Sequence, residues 1–143
     1  MKFLIALFLL AARCCATPVN FCTSTNGITL NSIDINNCTS STCVVIRDTN
    51  VTVPINATLN VAINTLKVKY VITYLPFPFF TINGEKDVTS IVGAPLPENY
   101  TMIYVYNKYV DNSYPVGNYD VMIQLINESN NVLLCFQFTI TIQ

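Results

Sequence analysis

Residues 51–61 alternate without a break. Odd positions carry Val51, Val53, Ile55, Ala57, Leu59 and Val61, and even positions carry Thr52, Pro54, Asn56, Thr58 and Asn60. Successive side chains of a strand point to opposite faces, so this pattern gives one dry face and one wet face. A helix would spread the same apolar residues around its whole surface. The end of the chain repeats the pattern: Leu134, Phe136, Phe138, Ile140 and Ile142 share one face, and Cys135, Gln137, Thr139 and Thr141 the other. Residues 28–35, 66–75, 100–110 and 119–126 read as further strands, separated by turn signals at Asn26-Gly27, Asn83-Gly84, Pro115 with Gly117, and Asn130-Asn131. About seven strands and no long helix in one domain read as all-β, a sandwich of two antiparallel sheets. Pro54 cannot donate to a ladder, which puts its strand at an edge or beside a bulge. Pro76 and Pro78 alternate with Leu75, Phe77 and Phe79, which argues against a central strand there. The stretch 81–99, with Gly84, Gly93, Pro95 and Pro97, reads as a long functional loop.

Composition narrows the function classes. Hydrophobic residues are 52% and charged residues 10% of the chain, enough apolar surface to offset the entropy of ordering. The chain has no histidine. That removes Ser-His and Cys-His catalytic pairs and histidine-ligated metals. A net charge of -1 offers no footprint for nucleic acid. Asp48, Asp87, Asp111, Asp120, Glu85, Glu98 and Glu128 are scattered over turns and wet faces, with no spacing that pairs two carboxylates for hydrolysis. Lys67 and Lys69 share a strand face and read as solubility rather than as a site for anionic lipid heads. No enzyme, cofactor or metal site is expected.

Residues 1–16 read as a secretory signal peptide: Lys2, a ten-residue apolar run over 3–12, and small Cys14 and Ala16 before the cleavage point. The run is too short to span a bilayer, which needs about 18 residues. The expected mature domain is 17–143. Four cysteines remain in it, Cys22, Cys38, Cys43 and Cys135. An even number in a secreted chain suggests two disulfides, with three pairings open. Cys38 and Cys43 are near enough to close a small loop, which leaves Cys22 for Cys135. Sequons stand at Asn37, Asn50, Asn56, Asn99 and Asn127. Asn37, next to Cys38, is the poorest acceptor. Strand parity puts Asn56 on the wet face, where a glycan would add solubility.

Several short motifs occur in a familiar order: Pro18-Val19-Asn20-Phe21-Cys22, the Cys38 to Cys43 loop, Ile55-Asn56-Ala57-Thr58, Leu75-Pro76-Phe77-Pro78-Phe79, Tyr114-Pro115, and Gln124-Leu125 ahead of Cys135. In this order the chain resembles the ML (MD-2-related lipid-recognition) domain family over its whole mature length. The resemblance implies an immunoglobulin-like β-sandwich whose sheets part to enclose a lipid, and disulfides Cys22–Cys135 and Cys38–Cys43. It implies binding and transfer of a sterol or fatty-acid-like lipid without catalysis, in a secreted or lysosomal setting, with transient contact to a membrane or a membrane receptor. There are two departures. Residues 81–99 lack the cysteine that many members carry there, which implies a more mobile loop. Val105 falls where sterol carriers tend to place a cavity tyrosine, which weakens the case for sterol among lipids.

The aromatic cluster of Tyr70, Tyr74, Phe77, Phe79 and Phe80 can be read as ordinary core, since sheets about 10 Å apart close over interdigitated side chains. The resemblance favours a pocket instead, lined by Phe77, Phe79, Ile103, Val105, Ile123, Phe136 and Phe138, with Phe79 its foremost residue. Two other readings remain: an extracellular lipid-recognition protein acting with a receptor, and a filled adhesion module without a ligand.

Overall fold

The computed structural model describes residues 16–22, 26–77 and 80–143. Lys2, Cys14 and the rest of the expected leader before Ala16 lie outside the described residues, as do Pro78 and Phe79. The described chain forms nine strands and one short helix: β1 Asn20–Phe21, β2 Ile28–Ile33, β3 Thr42–Val45, β4 Thr49–Leu59, β5 Lys67–Tyr74, β6 Thr81–Asp87, α1 Thr89–Val92, β7 Thr101–Val110, β8 Gly117–Ile126 and β9 Val132–Ile142.

The strands form two sheets. One runs β1-β9-β8-β5-β6, and β3 also pairs with β9; the other runs β2-β4-β7. β1 and β3 follow one another along β9, at Phe136–Gln137 and at 139–142. The β3–β9 pair is parallel and all other strand pairs are antiparallel. This is the two-sheet sandwich expected from alternation, in the immunoglobulin-like form that the resemblance implied, with more strands than the turn signals marked. β1 and β3 are only two and four residues long, too short to display a period.

Parity along β4 is as read. Val51, Val53, Ile55, Ala57 and Leu59 are buried. Asn56 lies on the opposite face, where its Oδ1 accepts a hydrogen bond from Asn31 Nδ2 at 3.1 Å. The placing of β4 needs correction, because it is the central strand of its sheet. Pro54 is tolerated because its carbonyl accepts from Asp34 N at 3.2 Å, beyond the end of β2. Its nitrogen points to that same side, past the last ladder pair of β2 and β4, Ile33 with Ile55. The irregularity falls on the partner strand, between Leu30 and Ser32.

Residues 81–99 also differ from the expected loop. β6 pairs with β5 along its full length, so β5 is a central strand and Pro76 lies in the turn beyond it. Gly84 is a strand residue, not a turn. A Cβ there would stand 2.1 Å from the Tyr70 ring, so glycine gives that ring its place across the ladder. The rest of the segment is tied down without a cysteine. Ile63 and Leu96 exchange backbone hydrogen bonds of 3.0 and 2.9 Å, Val88 N donates to Leu66 O, and Asn99 N donates to Leu59 O. Val88 is fully buried.

Both disulfides are present, with Cα separations of 5.4 Å for Cys22–Cys135 and 5.6 Å for Cys38–Cys43. In the loop-entropy view the long closure contributes about 5 kcal/mol and the short one about 2 kcal/mol.

Candidate functional site

The interior of the sandwich is not packed evenly. Around Ile55, Leu59, Ile63, Leu66, Leu125 and Phe136 the sheets close on one another, and each of these side chains is at most 2% exposed. Towards the other end the same strands bound a cavity. Its walls are Val51 and Val53 of β4, Val68, Tyr70 and Ile72 of β5, Tyr106, Lys108 and Val110 of β7, Val121 and Ile123 of β8, and Phe138, Ile140 and Ile142 of β9, with Ile35, Val45 and Tyr114. The cavity proper is about 70 Å³, and the free space between its walls, mouth included, is about 690 Å³. Six of the wall residues are valines. Valine satisfies the inward parity of a strand but fills less volume than the leucine, isoleucine and phenylalanine at the closed end.

The half-buried wall residues Tyr70, Ile72, Tyr106, Lys108, Tyr114 and Ile140 mark the mouth. The Tyr70 and Tyr106 rings meet across the two sheets with centroids 6.4 Å apart. Burial, with Tyr70, Tyr104 and Tyr114 adding smaller effects, pushes the Tyr106 phenol up to about 12, so it stays a neutral O–H donor at physiological pH. Lys108 is the only charged residue of the lining. Its Nζ lies 6.0 Å from the centre of the Tyr114 ring, within reach of a cation–π contact. Asp111, just beyond β7, is held below the usual carboxylate range by hydrogen bonds from the Ser113 hydroxyl and backbone N–H, and slightly by Lys108.

Of the residues expected to line a pocket, Ile123 and Phe138 do so. Phe136 is fully buried next to Phe138, with ring centroids 6.3 Å apart, and belongs to the closed half. Ile103 and Val105 are corrected: they face outwards, 67% and 44% exposed, paired with Asn56 and Pro54 on the outer face of β4. The inward residues of β7 are Met102, Tyr104, Tyr106, Lys108 and Val110. A register shift of one residue exchanges the two faces of a strand, and here Tyr106, not the expected Val105, faces the cavity. Both faces of β7 carry large apolar residues, so alternation alone leaves its orientation open. Phe77 is corrected too. It is 67% exposed at the β5–β6 turn and stacks on Tyr74 at 6.3 Å. Tyr74 in turn meets Tyr119 at 4.9 Å and donates to Val116 O at 2.9 Å, which joins the β5–β6 and β7–β8 turns. Phe79 lies outside the described residues. Tyr106, Lys108 and Tyr114 were not foreseen as a site. The sequence signal for them was the even parity of β7 continued into the following turn.

No group of three or more metal-ligating side chains occurs among the described residues. Their helix content offers no span long and apolar enough to cross a membrane.

Comparison with known proteins bears on this cavity. A family model described as the ML domain matches residues 16–142. A Niemann-Pick type C2 protein from Japanese carpenter ant has a similar structure, with TM-score 0.74 and 18% identity over 88% of this chain and 99% of that one. Chicken MD-1, solved in complex with lipid IVa, aligns with TM-score 0.54 and 12% identity over 86% of this chain and 96% of that one. An alkylpurine DNA glycosylase from Pseudomonas fluorescens reaches TM-score 0.55 at 10% identity over 81% of this chain but 31% of its own. The sandwich is thus shared by proteins of unrelated chemistry, and shape alone names no function.

Proposed function

The chain belongs to the ML domain family, and from that premise we propose that it binds a hydrophobic lipid between its sheets and carries it without catalysis. The observation that carries this reading is the cavity itself, whose walls are apolar on every contributing strand but for Lys108 of β7. Ligand pockets run to about 300–1,000 Å³, and the cavity proper is only about 70 Å³. Loading therefore parts the sheets at the Tyr70–Tyr106 contact. That contact joins the sheets through two side chains and no hydrogen bond, which makes it the natural place to open. Ile123 and Phe138 form the wall that meets the lipid. Burial of apolar ligand surface at roughly 25 cal/mol/Å² then supplies the affinity.

The same reading includes delivery. Leu75, Phe77, Phe80 and Val116 are exposed around the mouth end, at 40%, 67%, 44% and 51%. Such an apolar rim suits transient contact with a membrane, where a lipid can enter or leave without crossing water. The outward Ile103, Val105 and Tyr109 of β7 support a second reading, in which a receptor docks on the loaded protein.

Residues 1–16 act as the leader and 17–143 as the mature domain in this proposal, delivered to the outside of the cell or to the lysosome, with glycans on Asn50, Asn56, Asn99 and Asn127. Asn50 and Asn99 are exposed, and Asn56 and Asn127 half-exposed, which suits that role. The test is a solvent extract of protein purified from a eukaryotic secretion host, analysed by mass spectrometry, with titration of a fluorescent sterol and a fluorescent fatty acid. A stoichiometric lipid, or saturable binding of either probe, is expected. An empty protein that takes up neither probe would leave the ligand-free adhesion module as the function.

A further inference from the structure

Given that lipid-carrying reading, on which this inference rests, we propose that the ligand is a single-chain lipid carboxylate whose head is held at the mouth by Lys108. Lys108 lies on the inward face of β7, between Tyr106 and Val110 and opposite Val51 in the ladder. A lysine on the dry face of a strand is costly unless its ammonium reaches water or an anion. Here the aliphatic stem joins the apolar wall and the ammonium stays at the opening over Tyr114. Among the described residues no carboxylate lies within ion-pair distance of it, and the one ion pair there is Lys67 with Glu85 at 3.7 Å. The nearest candidate, Asp111, is already engaged by the Ser113 backbone N–H at 2.8 Å and by the Ser113 hydroxyl.

The hydroxyls of Tyr70, Tyr106 and Tyr114 have no hydrogen-bond partner among the described residues, in contrast to Tyr74 and Tyr119, which donate to Val116 O and Pro115 O. One cation at the edge of an otherwise apolar lining matches a monovalent carboxylate. A phosphate monoester would call for more positive charge, and a sterol hydroxyl for none.

The experiment titrates wild type, Lys108→Met and Lys108→Arg with cis-parinaric acid, with its methyl ester and with a fluorescent sterol, and follows thermal unfolding in parallel. Wild type should bind the acid about tenfold more tightly than the ester, the worth of a charge-assisted contact at a partly wet site. Lys108→Met keeps the stem but not the charge. It should bring the acid to within about twofold of the ester, while Lys108→Arg keeps the preference. Salt supplies a measurement that needs no variant: raising it should weaken the acid and spare the ester. Equal binding of acid and ester by wild type would overturn the proposal, as would a preference that survives Lys108→Met or is lost in Lys108→Arg. Wild type that takes the sterol but neither parinaric probe would overturn it and leave the lipid carrier standing. Wild type that takes no probe would remove the carrier and the carboxylate site together.

Discussion

The two halves of the sandwich are built from the same strands and differ in what fills them. In one half, Ile55, Ala57 and Leu59 of β4 face Leu125 of β8 and Leu134 and Phe136 of β9, all buried to within 2%. In the other, Val51 and Val53 of β4 face Val121, Ile123 and Phe138 across a gap. Hydrogen bonding runs through both halves, since the β4–β7 ladder is unbroken and the β8–β9 ladder shifts register only between Leu125 and Ile126, at the closed end. The cavity is therefore not a break in the sheets. It comes from smaller side chains on the inward positions and from three tyrosines and a lysine standing at the rim. Backbone pairing sets the scaffold, and side-chain volume decides which part of it stays empty.

The strongest way to break that comparison is to truncate one phenylalanine on each side of it. Phe136→Ala should cost about 3–5 kcal/mol in urea unfolding, the usual loss for a fully packed aromatic. Phe138→Ala should cost clearly less, because a cavity wall already lacks partners on one side, and it should weaken lipid binding as well. Equal losses of stability would mean that the two halves are packed alike.

A matched enlargement tests the same boundary from the other direction. Ala57 and Val53 lie on the same face of β4, one turn of the ladder apart, opposite Met102 and Tyr106. Ala57→Leu forces extra volume into a filled site and should destabilise by about 1–3 kcal/mol. Val53→Leu places one methylene beside free space, should change stability by under about 1 kcal/mol, and should reduce binding of a fluorescent fatty acid. Chemical denaturation and a probe titration on both variants check this. Val53→Leu that destabilises as much as Ala57→Leu would show that the space beside Val53 is already filled.

These contrasts also mark how far the sequence could be read. Period two in β4 and β9 was legible because each has one plainly polar face, and the position of Asn56 follows from it. β7 was not, because Ile103 and Val105 on one face match Met102, Tyr104 and Tyr106 on the other. Its orientation is fixed by pairing with β4, a contact between residues some fifty positions apart in the chain, as in Asn56 with Ile103. β6 was hidden by Asn83-Gly84, which reads as a turn locally. The reason for Gly84 is the Tyr70 ring on the neighbouring strand. The disulfide pairing was readable from the family order of motifs, whereas the emptiness behind Val51, Val53 and Val121 was not. A valine on the dry face satisfies the pattern whether or not anything packs against it.

Alkaline pH probes the open half. Burial, chiefly, pushes the phenols of Tyr106 and Tyr119 up to about 12, and Tyr119 also donates to Pro115 O at 2.7 Å. A phenol whose folded value lies above its unfolded value of about 10 stabilises fully below pH 10, and that stability is lost as pH rises towards 12. Melting temperatures should therefore fall over that interval, while tyrosinate absorbance at 295 nm rises. Tyr106→Phe and Tyr119→Phe should each flatten the fall. If Tyr106→Phe or Tyr119→Phe removes tyrosinate absorbance that wild type shows near pH 10, well before the fold melts, that ring is wetter than its packing implies.

Acid pH probes the closed half, with the smallest effect. Glu128, in the β8–β9 turn, accepts from the backbone N–H of Asn64 at 3.1 Å and of Thr65 at 3.3 Å. It thereby holds the turn that leads Ile63 and Leu66 into the filled core. Hydrogen bonding to its own backbone N–H first, and to those of Asn64 and Thr65 next, keeps its carboxyl below the ordinary value of 4.5. A carboxylate lowered in the folded state stabilises above its unfolded pKa, and the gain is lost as pH falls through the folded value. Asp87, lowered mainly by Thr89, and Asp111, lowered mainly by Ser113, act in the same direction. Glu128→Gln should thus lower the melting temperature slightly at pH 6 and not at pH 2, where the wild-type carboxyl is itself protonated, so the two curves should converge. Because the contact sits at the filled end, the substitution should leave lipid binding at pH 6 unchanged. A Glu128→Gln protein that melts with wild type at every pH would show that the turn holds without this carboxylate, and that the closed half is kept shut by side-chain packing alone.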